Sequence, residues 1–136
     1  MMQRKTAREN AFLLIFEKAC KSDETAEEIF IKATEERGLE YDDYVKRVFF
    51  GIAENSEIIE EEIEKHLTGW KKERISPVSI SILRLAAYEI LFIEDIPAKV
   101  SLNEAIELSK KYDDEKSYAF VNGVLNALVK AAEHDA

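Results

Sequence analysis

Apolar side chains recur along the chain at intervals of three and four residues, which is the spacing of one face of an α-helix. The first stripe predicts a helix from about Gln3 to Lys21. Gly38 is a suitable residue to end the second predicted helix. Between the third and fourth apolar stripes, the segment 51–56 predicts a kink or a break in the helix. The stripes are Phe12, Ile15, Phe16 and Ala19; Ala26, Ile29, Phe30 and Ala33; Tyr41, Tyr44, Val45, Val48, Phe49 and Ile52; and Ile58, Ile59, Ile63 and Leu67.

The second half of the chain follows the polar segment GWKKERISP. Ser76 is placed to cap a helix whose first residue is Pro77. From Val78 to Ile93 this helix is apolar almost all the way round, so it should lie at the centre of the protein. Two more helices are expected, from about Val100 to Lys111 and from about Glu115 to Ala132.

The pair Asn122-Gly123 is typical of a hairpin turn, but its surroundings are those of a helix. Apolar residues around it repeat at the helical spacing: Val121, Val124, Leu125 and Leu128. Because glycine inside a helix costs about 1 kcal/mol relative to alanine, a packing reason is expected. Ala119, Gly123 and Ala127 form a small-residue stripe along which another helix is predicted to pack, so that Gly123→Leu should overpack the contact.

These patterns predict an all-α fold of about seven helices, since only two prolines and four glycines interrupt 136 residues. Apolar residues make up 46% of the chain, enough for one core. We expect a single domain whose two small helical subdomains, about 1–68 and 76–136, pack around a shared central helix. Arg84 and Glu89 lie in that apolar helix, so each is expected to reach a polar partner on another element or an exposed edge.

Sequence patterns for catalysis, metal binding and membrane insertion are absent. Cys20 is the single cysteine, and neither His66 nor His134 has a second cysteine nearby to complete a zinc site. The acidic pairs of 57–64 are typical of a solvated helix face, and no glycine-rich phosphate loop occurs. We therefore expect no enzyme activity, metal or cofactor. Without a long apolar stretch or a secretory signal, we expect a cytoplasmic protein with no membrane partner.

The formal net charge of −9 argues against a surface that binds nucleic acid throughout, because phosphate affinity comes mainly from Lys and Arg. The start of the chain is an exception, since Arg4, Lys5 and Arg8 occur there without an acid. Such an arm would contact phosphates while Tyr118 or Phe120 offers a ring to an unpaired base. The residues by themselves support only an acidic all-helical binding module.

Four blocks of the sequence resemble the transcription antitermination factor NusB family: TARENAFLLIF, ILRLAAYEILF, IPAKVSLNEAIELSKKY and EKSYAFVNGVLNAL. Their order and spacing agree over essentially the whole chain. The resemblance implies two small helical subdomains and binding to the boxA element of nascent ribosomal RNA leader transcripts, as a heterodimer with the ribosomal protein NusE. It also implies action with other Nus factors on RNA polymerase, which makes elongation resistant to premature termination, and no cofactor.

The resemblance places the RNA face on an exposed basic arm and on the start of the last helix. The expected RNA-binding residues are Arg4, Lys5, Arg8, Glu115, Lys116, Tyr118 and Phe120. NusE is expected at Glu73 and Ser79 and at part of the helix from Val100. Removal of the arm should hardly change stability, and the ring of Phe120 is expected to be partly exposed.

Two alternatives remain open at this point. One is the NusB-like N-terminal domain of a ribosomal RNA cytosine methyltransferase, which requires a further methyl-donor-binding domain. The other is a protein-only interaction module, which the net charge of −9 favours. RNA binding that appears only when NusE is present would support the antitermination factor against the protein-only module.

Overall fold

The computed structural model describes residues 2–134, with only the backbone of His134, so the outer ends of the predicted subdomains and the side chain of that histidine fall outside it. The described residues form seven α-helices and no strand, which confirms the predicted all-α fold. No helix within residues 2–134 has the length and apolar character needed to cross a membrane. The helices are α1 (Arg4–Cys20), α2 (Ala26–Ile31), α3 (Asp43–Glu54), α4 (Ser56–Glu64), α5 (Pro77–Phe92), α6 (Ala98–Tyr112) and α7 (Glu115–His134).

Side-chain caps begin four of these helices. In each, a side-chain oxygen accepts a hydrogen bond from the backbone N–H three residues further on, which satisfies one of the free donors of the first turn. The caps are Thr25, Asp42, the predicted Ser76 and Asp114. After α2, a π-helical turn at Lys32–Glu36 leads to Gly38, whose φ of +72° confirms it as the left-handed residue that ends this helix.

Helix α5 is the centre of the fold. It packs against α1, α3, α4, α6 and α7, and nearly all of its faces are buried. The prediction of a shared central helix from its all-round apolar sequence is therefore confirmed. The boundary between the two subdomains stays a prediction.

The close approach of two helices occurs at Gly51 and not at Gly123. A Cβ built at Gly51 in α3 would overlap the ring of Tyr88 in α5, so glycine lets these helices meet. Asn122-Gly123 lies inside α7 as predicted, but a Cβ at Gly123 would have no atom within 4 Å. The predicted helix contact there, and the predicted overpacking by Gly123→Leu, are wrong because this face of α7 borders an open groove.

Candidate nucleic-acid and partner interface

A buried ion pair joins α1 to α5. The Nε atom of Arg8 lies 2.8 Å from Oε2 of Glu89, and the two residues are 5% and 1% exposed. The hydroxyl of Tyr44 donates to Oε2 of Glu89, and the hydroxyl of Ser101 donates to Oε1 at 2.7 Å. These four residues, from α1, α3, α5 and α6, form the buried cluster. The expectation that Arg8 belongs to an exposed arm is wrong, because its charge is buried against Glu89.

The protonation of the buried cluster is fixed by its surroundings. Burial raises the pKa of the Tyr44 hydroxyl, and the negative charge of Glu89 raises it further. Burial alone would lower the pKa of Arg8, but the hydrogen bond and charge of Glu89 outweigh it, so that pKa is raised. Arg8 therefore keeps its proton beside the carboxylate. The prediction that Glu89 reaches a partner on another helix is confirmed.

Arg4 and Lys5 are the exposed part of the predicted arm. The guanidinium carbon of Arg4 lies 4.3 Å from the centre of the Tyr44 ring, a distance typical of a cation–π contact. Tyr44 in turn donates to Glu89, so the buried cluster supports the position of Arg4. Lys5 lines a small groove together with Glu9 and Lys111.

The end of α6 brings two further lysines to this side of the protein. Nζ of Lys111 lies 2.7 Å from Oε1 of Glu9 in α1, and the hydroxyl of Tyr112 donates to the same oxygen at 2.5 Å. These hydrogen bonds, from Lys111 first and then Tyr112, lower the pKa of Glu9. Burial and the bond to Glu9 raise the pKa of Tyr112 to about 12. Nζ of Lys110 lies 5.5 Å from the ring centre of Tyr118 in α7.

We define the basic surface as the exposed cations Arg4 and Lys5 of α1 and Lys110 and Lys111 of α6, together with the half-buried ring of Tyr118 in α7. Lys5 and Lys111 line one groove, which Glu9, Glu104 and Glu107 also line. Sequence reasoning missed Lys110 and Lys111. Their signal was the adjacent pair of lysines in the last turn of a helix that leads directly into the predicted RNA face. Each lysine also has an acidic neighbour, Glu107 for Lys110 and Glu9 for Lys111.

The start of α7 does not bring all its predicted RNA-binding residues to the basic surface. Glu115 and Lys116 are exposed, and the predicted partial exposure of Phe120 is confirmed. Tyr118 and Phe120 are two positions apart, about 200° around the helix, so they face different sides. The ring centre of Phe120 lies 4.7 Å from that of Trp70, which belongs to the α4–α5 connection. The predicted residues thus form two groups on either side of α7.

The two predicted partner residues differ in accessibility. Glu73 is exposed in a 3₁₀ turn at Lys72–Arg74. Ser79 is only 2% exposed, and its hydroxyl donates to Oδ2 of Asp113 at 2.8 Å. The hydroxyl is turned inward and ties the start of α5 to the end of α6, and the predicted partner contact of Ser79 stays a prediction.

A second ion-pair network fixes the connection between α4 and α5. Nε of Arg84 lies 2.5 Å from Oε1 of Glu60, and Nζ of Lys72 lies 2.6 Å from Oε2. Burial alone would raise the pKa of Glu60, but the bonds from Arg84 and Lys72 outweigh it, so the pKa is lowered. The predicted partner of Arg84 on another element is therefore confirmed, and the network anchors the connection that carries Glu73.

Comparison with known proteins decides the family. The model of the NusB family matches residues 5–130. The chain belongs to the NusB family. The transcription antitermination protein NusB of Clostridium novyi is 44% identical over 133 residues, which cover 96% of this chain and 100% of that protein. The family predicted from the four sequence blocks is thereby confirmed.

Solved structures of NusB proteins have the same fold. NusB of T. maritima is 38% identical, with a TM-score of 0.83 over 95% of this chain and 92% of that chain. A NusB solved with NusE in complex with double-stranded RNA is 35% identical, also with a TM-score of 0.83, over 96% of this chain and 99% of that one.

Three of the four blocks that resemble the NusB family meet at the buried cluster. The first block contains Arg8, the second contains Glu89, and the third contains Ser101. Their polar side chains satisfy one another in the interior, where an unpaired charge would be costly. The residues that carry the family resemblance therefore fix how α1, α5 and α6 pack.

Proposed function

We propose that this chain is a transcription antitermination factor that binds boxA-type RNA together with NusE. The observation that carries the proposal is the basic surface, which gathers Arg4, Lys5, Lys110 and Lys111 on a protein of net charge −9. Phosphate contacts need such a local cluster of cations. Tyr118, beside Lys110, adds a ring on which a base can stack.

The acidic neighbours of these lysines explain why a partner is needed. Glu9 and Glu107 each pair with a lysine of the basic surface. Glu115, which follows shortly after these lysines in the sequence, is exposed. These carboxylates reduce the positive potential that RNA meets. We therefore expect weak RNA binding by the chain alone and much tighter binding when a basic partner adds phosphate contacts.

NusE is proposed to dock on the connection between α4 and α5 and on the start of α6. Glu73 is exposed in that connection, and Val100 is an exposed apolar residue on α6. Ser79 acts indirectly in this proposal, because it fixes the start of α5 against Asp113. The further steps, assembly with other Nus factors on RNA polymerase in the cytoplasm and processive elongation without an enzymatic reaction, belong to the same proposal.

Gel-shift titrations test the proposal with single-stranded boxA-type RNA, the chain alone, NusE alone and both together. We expect the mixture to bind much more tightly than either protein. Equal affinity with and without NusE would contradict the cooperative mechanism, and binding to NusE without any RNA binding would favour a protein-only interaction module. The same RNA annealed to its complement tests the preference for unpaired bases.

A further inference from the structure

Trp70 is held at the surface in a fixed position. It is 58% exposed, although large aromatic residues are usually buried. Gly69, with φ of +77°, allows the tight turn after α4, in which the N–H of Trp70 donates to the carbonyl oxygen of Leu67 at 2.6 Å. The ring of Trp70 then packs on Phe120 of α7.

Trp70 and Phe120 border a groove between the α4–α5 connection and α7. We call it the Trp70 groove; its volume is about 600 Å³, within the range of ligand sites. Gly123 leaves it open, since a Cβ there would meet no atom within 4 Å. Lys116 and His66 line it, and no carboxylate of the described residues does. The groove is therefore apolar, aromatic and cationic on a protein whose net charge is −9.

His66 contributes a free hydrogen-bonding atom. Its Nε2 is buried and has no hydrogen-bond partner among residues 2–134. A buried ring nitrogen without a partner loses free energy, so a ligand that offers a donor or acceptor at this point is favoured. The edge of a nucleobase carries both kinds of group beside a planar face that stacks on aromatic rings.

We propose that the Trp70 groove binds one unpaired RNA base, which stacks on Trp70 and Phe120 while Lys116 contacts a neighbouring phosphate. This inference rests on the proposed function, because it adds a base site to the same RNA. The groove lies on the side of α7 opposite Tyr118, so the RNA crosses the start of α7 between the basic surface and the groove. The base in the groove is the point where single-stranded RNA is distinguished from a duplex.

Trp70 is the only tryptophan of the chain, so it can report on its own site. Protein labelled with 5-fluorotryptophan gives one fluorine resonance, and unlabelled NusE and RNA stay invisible. Gly123→Leu fills the groove and leaves both aromatic rings in the chain, with the new side chain one turn along α7 from Phe120. Leucine also favours a helix more than glycine does, so this variant should remain folded. Gly123→Ala is the matched control because it adds only one methyl group, and Trp70→Ala removes the stacking surface directly.

We expect the fluorine resonance to shift when single-stranded boxA-type RNA joins the complex with NusE, away from the position that it has with NusE alone. Gly123→Leu and Trp70→Ala should each weaken RNA binding by about 5- to 100-fold, the range of one lost base stack, and Gly123→Ala should have little effect. Removing one base from the RNA should weaken binding to the wild-type protein by a similar factor, and it should do so at only one position along the RNA. The RNA that lacks this base should bind the Gly123→Leu variant as tightly as intact RNA binds the same variant.

Three results would overturn the inference. If RNA binds with unchanged affinity to Gly123→Leu, or leaves the resonance in place, the groove holds no base and the proposed function stands without it. If NusE alone shifts the resonance and Gly123→Leu weakens NusE binding, the groove holds a protein side chain. If no RNA binds to any combination of the proteins, the proposed function and this inference both fail.

Discussion

Two arginines one helical turn apart on α1 differ in almost every physical respect. Arg4 is exposed, and its guanidinium carbon lies 4.3 Å from the ring centre of Tyr44. Arg8 lies 5.8 Å from the same ring centre, but it is buried and paired with Glu89. One side chain is free to meet a ligand, and the other holds α1 against the core. A basic motif near a terminus therefore combines two roles that its sequence does not separate.

Burial accounts for the difference between these regions. In the buried cluster the ion pair has been removed from water, so the loss of one partner leaves a charge that nothing compensates. On the basic surface, water and salt screen each charge, and an ion pair such as Lys111 with Glu9 contributes at most about 1 kcal/mol. The buried cluster should therefore dominate stability and the basic surface should dominate binding. Four variants test that division.

The largest effect is expected for Glu89→Gln. The substitution keeps the shape of the side chain but removes the buried carboxylate beside Arg8, whose remaining carboxylate neighbour is the more distant Glu104, so unfolding free energy should fall by about 3–5 kcal/mol. Urea denaturation followed by circular dichroism measures it. Glu104→Gln is the control, because its carboxylate is 3.7 Å from Arg8 and 29% exposed; it should cost less than about 1 kcal/mol. Similar losses in both variants would contradict the comparison.

The helices were predictable from sequence because periodicity is a local property. The stripe spacing, the Ser76 cap and the all-round apolar character of α5 need only neighbouring residues, and these predictions were confirmed. The burial of Arg8 depends on Glu89, 81 positions further along, which no local pattern could indicate. Gly51 and Gly123 also show that long-range packing cannot be predicted from local sequence. Both are helical glycines, but only the fold decides that Tyr88 packs on the first of them.

The candidate site was predictable only in part for a similar reason. Resemblance to the NusB family directed attention to the start of α7, where Phe120 is half-buried as expected. It did not indicate that Phe120 packs on Trp70, because the α4–α5 connection reaches α7 only in the folded chain. Ser79 illustrates the opposite case. Resemblance to the NusB family placed it on the partner face, but its hydroxyl donates to Asp113 inside the fold.

Phe120 is half-buried, so its exposure lies between that of the buried cluster and that of the basic surface. We expect Phe120→Ala to have the second largest effect. The ring packs partly on the core and partly on Trp70. We expect a loss of about 1–3 kcal/mol in RNA affinity in the presence of NusE. The loss of folding stability should stay well below the about 3–5 kcal/mol typical of a fully buried ring.

Thermal melts and RNA titrations on the same purified variant separate these effects. Tyr118→Ala is the companion variant on the other side of α7, where the ring contacts Lys110; it should also lower RNA affinity, because this ring belongs to the basic surface. A large loss of stability with normal affinity per folded molecule would assign Phe120 to the core alone. In that case Phe120 would belong to the residues that dominate stability and not to those that dominate binding.

Replacing Arg4 and Lys5 by alanine should change binding and leave stability nearly intact. Each lost phosphate contact should reduce the slope of log K against log salt by about 0.7, the value for single strands. Affinity should fall for every RNA sequence, and unfolding free energy should stay within about 0.5 kcal/mol of the wild type. RNA titrations at several salt concentrations provide the measurement. An unaltered slope would rule out phosphate contacts by these residues, and a large loss of stability would remove their contrast with Arg8.

The smallest effect is expected for Glu9→Gln, which tests whether the link between α1 and α6 belongs to the surface class. The folded pKa of Glu9 is lowered, so its stabilising contribution is present above the ordinary carboxyl pKa and is lost as pH falls through the folded value. The pKa of Tyr112 is raised to about 12, so its contribution is present below the ordinary tyrosine pKa and is lost as pH rises through about 12. Glu9→Gln should therefore reduce stability between these limits by less than about 1 kcal/mol and flatten the acid side of the pH profile. Urea denaturation across the pH range measures this, with Glu107→Gln as a control on the exposed face of α6. A loss near that of Glu89→Gln would place the Glu9 contacts with the buried cluster instead.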